Sequence, residues 1–436
     1  MTRIEEIAAQ LAGYDPKALG VDGVQDFLAR LVAQAVVTQR EEVALADALD
    51  RVLAEDLVSP FSVPPHDNSA MDGFAFDGAV LDAPAASQEI ALKVVGTAFA
   101  GAAWRGAIGP GESVRIMTGA VMPASLDTVV PQEFCHAEDD IVRFPASALR
   151  RGDNRRLAGE DLQRGEPALR AGDRIGPAGL GLAGSLGAAR LPVLRRLRVA
   201  YFSTGDEILS LGEAAREGAV FDSNRYTVSG LLRRLGCEVI DLGLVRDDPA
   251  ALAATLRQAA DTADAIITSG GVSVGEADHT RAVMQQLGDM AFWRVAMRPG
   301  RPMAVGLIPA SGAERPPAVL FGLPGNPVAV MVTFLAFVRP ALLRMMGCNA
   351  AGVAPPPLLR ARSATAIRKK PGRTEYQRGF VQPCPGELPQ VRIAGNQGSG
   401  VLSSMVLANG LVVLHHDQDS VAAGGEVDVM MFDGVV

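Results

Sequence analysis

The feature that most restricts the fold of this chain is an alternation of strand-like and helix-like segments between residues 197 and 346. Short apolar runs predict four strands, at 198–202, 238–242, 265–268 and 319–322. Helical spacing predicts a helix after each of them, at 225–235, 249–260, 279–287 and 327–345. This alternation predicts a parallel sheet with helices on both faces. Ligands of such sheets bind beyond the carboxyl ends of the strands, so the turns there are the first candidates for a site.

The turn after the third predicted strand has the composition of a ligand site. Residues 265–280 read A-I-I-T-S-G-G-V-S-V-G-E-A-D-H-T. Gly270 and Gly271 let backbone N–H groups approach an anion closely, whereas Glu276 and Asp278 would repel one. A divalent cation between the carboxylates and a phosphate resolves this conflict, because hard cations prefer oxygen ligands. The stretch predicts a phosphorylated ligand held with a metal ion; a glycine-rich turn with solvated acids is the structural alternative.

Polar residues also follow the other three predicted strands. The turns read S-T-G-D-E at 203–207, R-D-D at 246–248 and L-P-G-N-P at 323–327. Asp248 is placed to cap a helix that opens at Pro249, which leaves Asp247 without a structural duty. Since parallel strands end at one edge, we expect the acids of these turns to surround one crevice. They are Glu207, Asp247, Glu276 and Asp278.

Two short motifs suggest other functions. Residues 179–184 match G-x-G-x-x-G, but no strand precedes them and Pro177 is typical of a helix start, which argues against a dinucleotide loop. Residues 271–275 match G-x-S-x-G after a strand, so a serine hydrolase using Ser273 is an alternative. The histidines after that serine are His279 and the pair at 415–416.

The rest of the chain predicts further domains. Short β-rich runs at 91–95, 113–117 and 128–130 indicate a small β domain between about 60 and 143. Prolines at 355–357 mark a linker, and a compact β domain is expected after it. Helical spacing at 24–36 and 45–57 predicts two helices near the start, preceded by a variable leader.

Composition excludes several protein classes. The 436 residues have a formal net charge of -8, which argues against wholesale nucleic-acid binding. The four cysteines form no C-x-x-C pair, so a zinc knuckle and a disulfide framework are not expected. The N-terminus lacks an apolar signal region, and no uninterrupted apolar stretch reaches about 18 residues. These observations predict a cytoplasmic protein that does not bind a membrane.

A series of short motifs follows one order along the chain. They are D-N-S-A-M-D-G at 67–73, G-E-D at 159–161, S-T-G-D-E at 203–207, D-S-N-R at 222–225, R-D-D at 246–248, T-S-G-G-V-S-V-G-E-A-D at 268–278, F-W-R-V-A-M-R-P-G-R-P at 292–302, G-L-P-G-N-P-V at 322–328, Q-R-G at 377–379 and Q-G-S-G at 397–400. Together they resemble the molybdopterin molybdenumtransferase family of the MoeA type, which is similar to the gephyrin E domain. The resemblance extends from about residue 24 to the end of the chain.

The resemblance implies a multidomain fold of the α/β plus β class. A doubly wound parallel-sheet domain would bind molybdopterin, beside a discontinuous elongated N-terminal domain, a small β domain and a C-terminal β-barrel-like domain. The expected boundaries are 1–23 for the leader, 24–58 with 147–195 for domain I, 59–146 for domain II, 196–348 for domain III and 356–436 for domain IV.

The resemblance also implies a reaction, the last step of molybdenum cofactor synthesis. Molybdate would be inserted into adenylylated molybdopterin with release of AMP, assisted by Mg2+. The enzyme would be a homodimer whose site is shared across the interface, and a molybdopterin adenylyltransferase would supply the substrate. A molybdopterin-binding scaffold without catalysis is the alternative from another class.

Site roles follow from the resemblance residue by residue. The implied catalytic carboxylates are Asp67, Asp161, Glu207, Asp247 and Asp278, of which the last three would bind the metal. The implied substrate-binding residues are Thr268, Ser269, Gly270, Gly271, Pro324, Gly325, Asn326, Pro327, Arg294, Arg298 and Arg301. Arg378 and Ser399 would bind molybdate.

The arginines of the predicted anion site depart from the family pattern. The family usually carries lysine where this chain has Arg294, Arg298 and Arg301. Charge is kept, but a planar guanidinium fork and a compact ammonium differ in geometry. The prolines at 299 and 302 stiffen the loop that holds two of these cations, which favours a fixed anion site.

Overall fold

The computed structural model describes residues 1–82, 89–271, 278–312 and 315–435. These residues form two compact units. The larger unit contains Met1–Glu55, Ala171–Pro177 and Arg190–Val436, and the smaller unit contains Asp56–Arg170 and Ala178–Ala189. The predicted boundaries of domains I to IV stay predictions.

A six-stranded sheet lies at the centre of the larger unit. Its strands in spatial order are Glu238–Val245, Arg198–Thr204, Ala265–Ser269, Ala318–Leu323, Pro302–Ile308 and Asp289–Arg294. The first four are parallel, which confirms the strands predicted from the alternation. Pro302–Ile308 is antiparallel to both of its neighbours. The alternation did not reveal the last two strands, because no helix separates Asp289–Arg294 from Pro302–Ile308.

Four helices cover the two faces of this sheet. They are Ser223–Leu235, Pro249–Thr262, Asp278–Leu287 and Pro327–Met345. The first and last pack on one face with Tyr201 and Ile267, whereas the middle two pack on the other with Phe202 and Ile266. Because successive strand residues point to opposite faces, both faces are apolar. The predicted doubly wound architecture is confirmed, and two further strands extend the sheet, of which Pro302–Ile308 is antiparallel to the others.

The second of these helices begins as its sequence predicts. The Asp248 carboxylate accepts a hydrogen bond from the backbone N–H of Ala251 at 2.7 Å, and Pro249 occupies the first helical turn. This cap confirms the structural role of Asp248 and leaves its neighbour Asp247 free of that role.

The helix Pro327–Met345 is a core helix of the larger unit. Length and composition alone would allow it to cross a membrane, but 83% of its most apolar window is buried inside the protein. Its middle turn, Phe334–Val338, is π-helical and buried. A buried helix of this kind passes the same compositional test as a membrane span.

The C-terminal part of the larger unit is a closed barrel. Its strands in order are Thr374–Gln382, Gln390–Ile393, Leu359–Ser363, Glu426–Met431 and Gly410–Leu414. Pairing of the last with the first closes the ring, which confirms the predicted C-terminal β-barrel-like domain. The short strand Met297–Arg298 pairs with Thr374–Gln382 and so joins the barrel to the loop between the central-sheet strands Asp289–Arg294 and Pro302–Ile308. A short helix, Ser403–Val406, precedes the last barrel hairpin.

The first 23 residues, predicted to be a variable leader, contain helix Arg3–Gln10 and the start of helix Val21–Val32. Thr2 and Glu5 form a capping box at the start of helix Arg3–Gln10. Ile4 and Ile7 are buried in the core of the larger unit, and the backbone N–H of Ile4 donates to the Asp289 carboxylate at 2.9 Å. Capping and the two buried isoleucines dock this segment on the core of the larger unit.

The predicted helix at 45–57 is wrong. The chain forms a single 3-10 turn, Leu45–Asp47, and Asp50 then takes a positive φ of 60°, which ends any helix. Val52 and Leu53 are buried through isolated bridges to residues 174 and 193. Their apolar spacing therefore reflects pairing with residue 174 and with the strand Arg190–Leu194, which itself pairs with strand Arg40–Ala44.

The smaller unit is mainly β. Its sheet contains Thr128–Pro131, Gly73–Phe76, Glu112–Ile116, Glu89–Ala98, Ile141–Pro145 and His136–Glu138. Two short pairs accompany it, Leu57–Val58 with Pro167–Leu169 and Asn68–Ser69 with Arg155–Arg156. The three strands predicted in this region are confirmed. The glycines at 179–184 lie inside helix Pro177–Ser185, so they form no dinucleotide loop.

Candidate functional site

A cleft of about 650 Å³ opens in the larger unit at the carboxyl ends of the parallel strands. The turns after all four predicted strands contribute to it, as expected for a sheet of this topology. Its lining residues are Thr204, Gly205, Glu207, Asp247, Gly270, Gly271, Thr280, Arg298, Pro299, Gly300, Arg301, Pro302, Pro324, Gly325, Asn326, Ala329, Gln397, Gly398 and Ser399.

Two carboxylates form the acidic side of this cleft. Glu207 and Asp247 are both exposed and follow neighbouring strands of the sheet. The Thr204 hydroxyl donates to one oxygen of Asp247 at 2.9 Å, and the backbone N–H of Asp247 donates to the Asp206 carboxylate at 3.3 Å. Gly205 has a φ of 146°, and a side chain there would meet the Glu207 carboxylate at 2.6 Å. The Glu207 carboxylate therefore lies directly against the Gly205 backbone.

The glycine turn after strand Ala265–Ser269 forms the floor of the cleft. Gly270 and Gly271 have positive φ values of 95° and 68°, which favour glycine. A Cβ on Gly271 would lie 2.7 Å from the Thr280 methyl group, and one on Gly270 would collide with the Thr204 carbonyl oxygen. The predicted close backbone approach at these two residues matches this geometry.

Thr268 and Ser269 place their side chains away from the cleft. Both are buried, and the Thr268 hydroxyl has no partner among the described residues. The Ser269 hydroxyl lies 2.7 Å from the Tyr201 hydroxyl, which is also 2.8 Å from that of Ser203. Burial raises the pKa of Tyr201, so this hydroxyl stays protonated and serves as a hydrogen-bonding group inside the sheet. Neither Thr268 nor Ser269 lines the cleft. At this turn, the groups left to bind the predicted phosphate are backbone N–H groups.

The turn at 323–327 brings a helix N-terminus to the cleft. Asn326 is the N-cap residue of helix Pro327–Met345, and its side chain makes no capping hydrogen bond. The Asn224 side-chain amide donates to the Gly325 carbonyl at 2.7 Å, so helix Ser223–Leu235 holds this turn in place. The positive end of a helix dipole favours an anion at this position. Pro324, Gly325 and Asn326 line the cleft, whereas Pro327 does not.

Two arginines form the basic side of the cleft. Arg298 and Arg301 are exposed, and neither makes an ion pair with any residue that the structure describes. Gly300 between them has a φ of 94° and packs near Thr333, so the loop is held tightly. Arg294 does not line the cleft; it is exposed, and its backbone N–H donates to the Pro16 carbonyl at 2.8 Å.

Arg378 and Ser399, the predicted molybdate ligands, occupy different environments. Ser399 lines the cleft, and its carbonyl accepts from the backbone N–H of Val328 at 3.0 Å. Arg378 is 1% exposed and does not line the cleft. Its guanidinium donates to the Ser404 hydroxyl and to the Gly398 carbonyl, each at 3.0 Å. Burial lowers the pKa of Arg378, and the nearby Arg298 guanidinium acts in the same direction.

In this arrangement Arg378 fixes the loop that places Ser399. Besides Gly398, it donates to the Asn396 carbonyl at 3.1 Å, and its backbone N–H donates to the Gln397 side chain at 2.8 Å. Three of the loop's residues are thereby tied to Arg378, two of them through its buried guanidinium and one through its backbone N–H. The sequence pattern Q-R-G identified the residue but not whether its guanidinium faces inward or toward the cleft.

Asp67 and Asp161 belong to the smaller unit. Asp67 accepts from the backbone N–H of Ala158 at 2.8 Å and lies 3.7 Å from the Arg155 guanidinium. Asp161 is exposed, and its backbone N–H donates to the Val63 carbonyl at 3.1 Å. The Asp67 carboxylate thus contacts the segment 154–161, of which Asp161 is the last residue.

Part of the predicted site lies outside the described residues. These are Glu276 and Ser273, within 272–277, and the side chain of Asp278. Among the described residues, no three His, Cys, Asp or Glu side chains form a group that could hold a metal ion. Glu207 and Asp247 are the described members of the predicted metal site.

Several cleft residues were not predicted from the sequence. They are Thr204, Gly205, Thr280, Pro299, Gly300, Pro302, Ala329, Gln397 and Gly398. Most stand beside a predicted residue within the same motif, as in S-T-G-D-E or Q-G-S-G. Thr280 has no such signal, because only the helix Asp278–Leu287 brings it back under the glycine turn.

Family models match nearly the whole chain in sequence order. The MoeA N-terminal region (domain I and II) matches residues 23–187. The probable molybdopterin binding domain matches residues 200–344, and with it the cleft turns described above. The MoeA C-terminal region (domain IV) matches residues 360–432, which form the barrel.

Curated relatives and solved structures agree with these matches. The molybdopterin molybdenumtransferase of Haemophilus influenzae is 38% identical over 91% of this chain and 95% of that protein. The Nostoc sp. enzyme of the same name is 36% identical over 89% and 88%. The crystal structure of a molybdopterin biosynthesis moeA protein from Pyrococcus horikoshii matches with a TM-score of 0.76 and 25% identity, over 95% of this chain and all of that one.

The alternatives raised by the sequence lose their support here. The curated relatives carry the name of a transferase, neither that of a serine hydrolase nor that of a scaffold protein. The order of the motifs, the fold and these relatives lead to one conclusion. The chain belongs to the molybdopterin molybdenumtransferase family, whose members are enzymes of molybdenum cofactor biosynthesis.

Proposed function

We propose that this enzyme inserts molybdate into adenylylated molybdopterin and releases AMP. The observation that supports this most is the division of one cleft into an acidic side and a basic side, with a glycine turn and a helix N-terminus between them. A phosphoanhydride suits the turn and the helix end, which offer backbone N–H groups. A second oxyanion suits the unpaired arginines.

The proposed reaction combines hydrolysis with ligand exchange. Water adds to one phosphorus of the anhydride, the bridging P–O bond breaks, and AMP and the molybdopterin phosphate separate. The two dithiolene sulfurs replace one oxygen of molybdate, which leaves as water with the two thiol protons. Molybdenum is neither oxidised nor reduced. The described residues would bind and orient the substrates: Asp247 on the acidic side, Arg298 and Arg301 on the basic side.

We also propose Mg2+ as the cation of the acidic side. Glu207 and Asp247 present carboxylate oxygens to the cleft, and such hard ligands suit Mg2+. Asp278 would complete the set, since it opens the helix after the glycine turn. When bound, the ion would neutralise charge on the phosphate oxygens.

The basic side is the proposed site for molybdate. Arg298 and Arg301 each offer a planar donor fork, and Ser399 adds a hydroxyl to the same cleft. Arg378 contributes by fixing the loop around Ser399 and by placing a second positive charge near Arg298. Molybdate, a tetrahedral oxyanion with two negative charges, would reduce the electrostatic repulsion between Arg298 and Arg378.

A homodimer is proposed as the working form. Asp67 and Asp161 are exposed or partly exposed carboxylates outside the cleft-bearing unit, and the exposed apolar side chains Met71 and Leu157 are close to them in sequence. The Asp67 segment of the partner subunit would complete the acidic side of the cleft. A molybdopterin adenylyltransferase is the proposed donor of the substrate, and the cytoplasm is the proposed location.

A direct assay tests the function. Purified protein is incubated with adenylylated molybdopterin, molybdate and Mg2+, and both AMP and protein-bound molybdenum are measured. We expect AMP release that depends on molybdate, with a matching amount of incorporated molybdenum. Pterin binding without AMP release would contradict the enzymatic proposal, and absence of pterin binding would contradict the substrate.

A further inference from the structure

We infer that Thr204 is a positioning residue, which holds the Asp247 carboxylate in the orientation that binds the cation of the acidic side. This inference rests on the proposed function of the cleft, because it assigns a cation to Asp247. Thr204 is the last residue of strand Arg198–Thr204 and itself lines the cleft.

The hydrogen bond from Thr204 determines which Asp247 oxygen is free. The Thr204 hydroxyl lies 2.9 Å from Oδ1 of Asp247. An ionised carboxylate only accepts hydrogen bonds, so the hydroxyl is the donor. With Oδ1 occupied, Oδ2 is the oxygen left for a cation. The backbone N–H of Asp247 is fixed as well, by the Asp206 carboxylate at 3.3 Å.

The rest of Thr204 packs against the glycine turn. Its methyl carbon would lie 3.1 Å from a Cβ on Gly271 and 3.5 Å from one on Gly270. Its carbonyl oxygen limits Gly270 to a residue without a side chain. One buried residue, 3% exposed, therefore connects the acidic side of the cleft with the turn proposed to bind phosphate.

Folding alone does not explain this hydrogen bond. Asp247 is exposed, and its carboxylate makes no other hydrogen bond with the described residues. An exposed carboxylate can be solvated by water in any rotamer, so fixing it costs conformational entropy. Removing a group that hydrogen-bonds to a metal ligand and orients it typically lowers metal affinity or activity by about 10- to 100-fold.

Mn2+ binding, followed as free Mn2+ by electron paramagnetic resonance, tests the inference on the full chain. Thr204→Val keeps the shape of the side chain but removes the donor. We expect about 10- to 100-fold weaker Mn2+ binding at the site that Asp247→Ala abolishes. Thr204→Ser should recover most of the loss. Equal Mn2+ affinity in wild type and Thr204→Val would overturn the inference.

A matched control separates positioning from a general loss of stability. Thr227 donates its hydroxyl to the Ser223 carbonyl at 3.0 Å within helix Ser223–Leu235, outside the cleft. Thr227→Val removes a comparable hydrogen bond, so Mn2+ affinity should equal that of wild type. An equal loss of Mn2+ affinity in both valine variants, with equal losses of thermal stability, would also overturn the inference.

A double-mutant cycle identifies the residue through which Thr204 acts. In AMP release, Thr204→Val should cost little or nothing further once Asp247 is alanine, because the group it positions is gone. Additive losses would contradict the inference. If the proposed function is wrong, the wild-type protein will release no AMP. Even then, weaker Mn2+ binding by Thr204→Val than by Thr204→Ser would support the positioning role. If wild type binds no Mn2+, the inference fails together with the metal assignment.

Discussion

The two edges of the central sheet in the larger unit can be compared directly. Each edge borders a cleft of similar volume, about 650 Å³ at the carboxyl ends of the strands and about 590 Å³ at their amino ends. Each cleft contains arginine and carboxylate side chains. At the amino ends these include Arg195, Arg198, Arg315 and Asp264.

The charges at the two edges differ in their partners. At the amino ends, Arg195 donates to both oxygens of Asp264 at 2.7 and 2.8 Å. Arg198 pairs with Glu238 at 3.3 Å. At the carboxyl ends, Arg298, Arg301 and Glu207 make no ion pair with any described residue. Charges that neutralise one another stabilise the fold, whereas charges left unpaired in a cleft are available to a ligand. Pairing, rather than volume, distinguishes the candidate site.

The largest predicted effect is that of removing Asp247. Asp247→Ala should lower kcat for AMP release by a factor on the order of 10² to 10³, because the proposed cation beside the reacting phosphate loses a ligand. Binding of adenylylated molybdopterin, measured by fluorescence, should persist. Glu238→Ala is the matched removal of an exposed carboxylate at the other edge, and it should leave kcat unchanged. Equal losses in both variants would abolish the distinction between the edges.

Removing Asp264 should affect stability instead. Its carboxylate is 15% exposed and accepts from Arg195 and from the backbone N–H of Arg198 at 2.9 Å. Asp264→Asn leaves a mostly buried guanidinium without its counter-charge, which should cost roughly 3 kcal/mol in the free energy of unfolding. Urea denaturation measures this loss. AMP release by the folded fraction should be retained; a lower kcat with unchanged stability would place function at the amino ends.

Arginines of the basic side should govern molybdate binding. Arg298→Ala or Arg301→Ala should each raise the KM for molybdate by about tenfold, the value of one lost charge-assisted hydrogen bond. Steady-state assays at several molybdate concentrations measure this change. Arg298→Lys tests geometry at constant charge, and a smaller rise is expected. Unchanged KM in both alanine variants would remove molybdate from this side of the cleft.

The sequence predicted those parts of the site that depend on short stretches of neighbouring residues and on the topology of the sheet. The strands, the glycine turn and the Asp248 cap follow from apolar runs and capping chemistry. Because parallel strands end at one edge, it also followed that Glu207 and Asp247 would share a cleft. Local pattern and topology were sufficient for these features.

Side-chain direction and nonlocal contacts could not be predicted. Thr268 and Ser269 were assigned to the ligand, but they are consecutive residues of a strand, so they point to opposite faces of the sheet, and both are buried. Arg378 was assigned to molybdate, yet its guanidinium is enclosed by carbonyls of a loop about 20 residues further along the chain. The docking of residues 16 and 19 onto 294 and 296 depends on backbone hydrogen bonds that no side-chain pattern encodes. Each of these features is decided by tertiary contacts.

The smallest predicted effect is that of removing Arg198. Its pair with Glu238 is solvent-exposed, with side-chain exposures of 43% and 52%, so water and salt screen the attraction. Arg198→Ala should change the free energy of unfolding by less than about 1 kcal/mol and should leave the KM for molybdate unchanged. Both quantities are measured with the assays used for Asp264→Asn and Arg298→Ala. This variant is the strictest test of the comparison, because it removes a cleft arginine that differs from Arg298 in having a partner. A tenfold rise in KM would show that a paired arginine also binds the anion, and pairing would no longer distinguish the two edges.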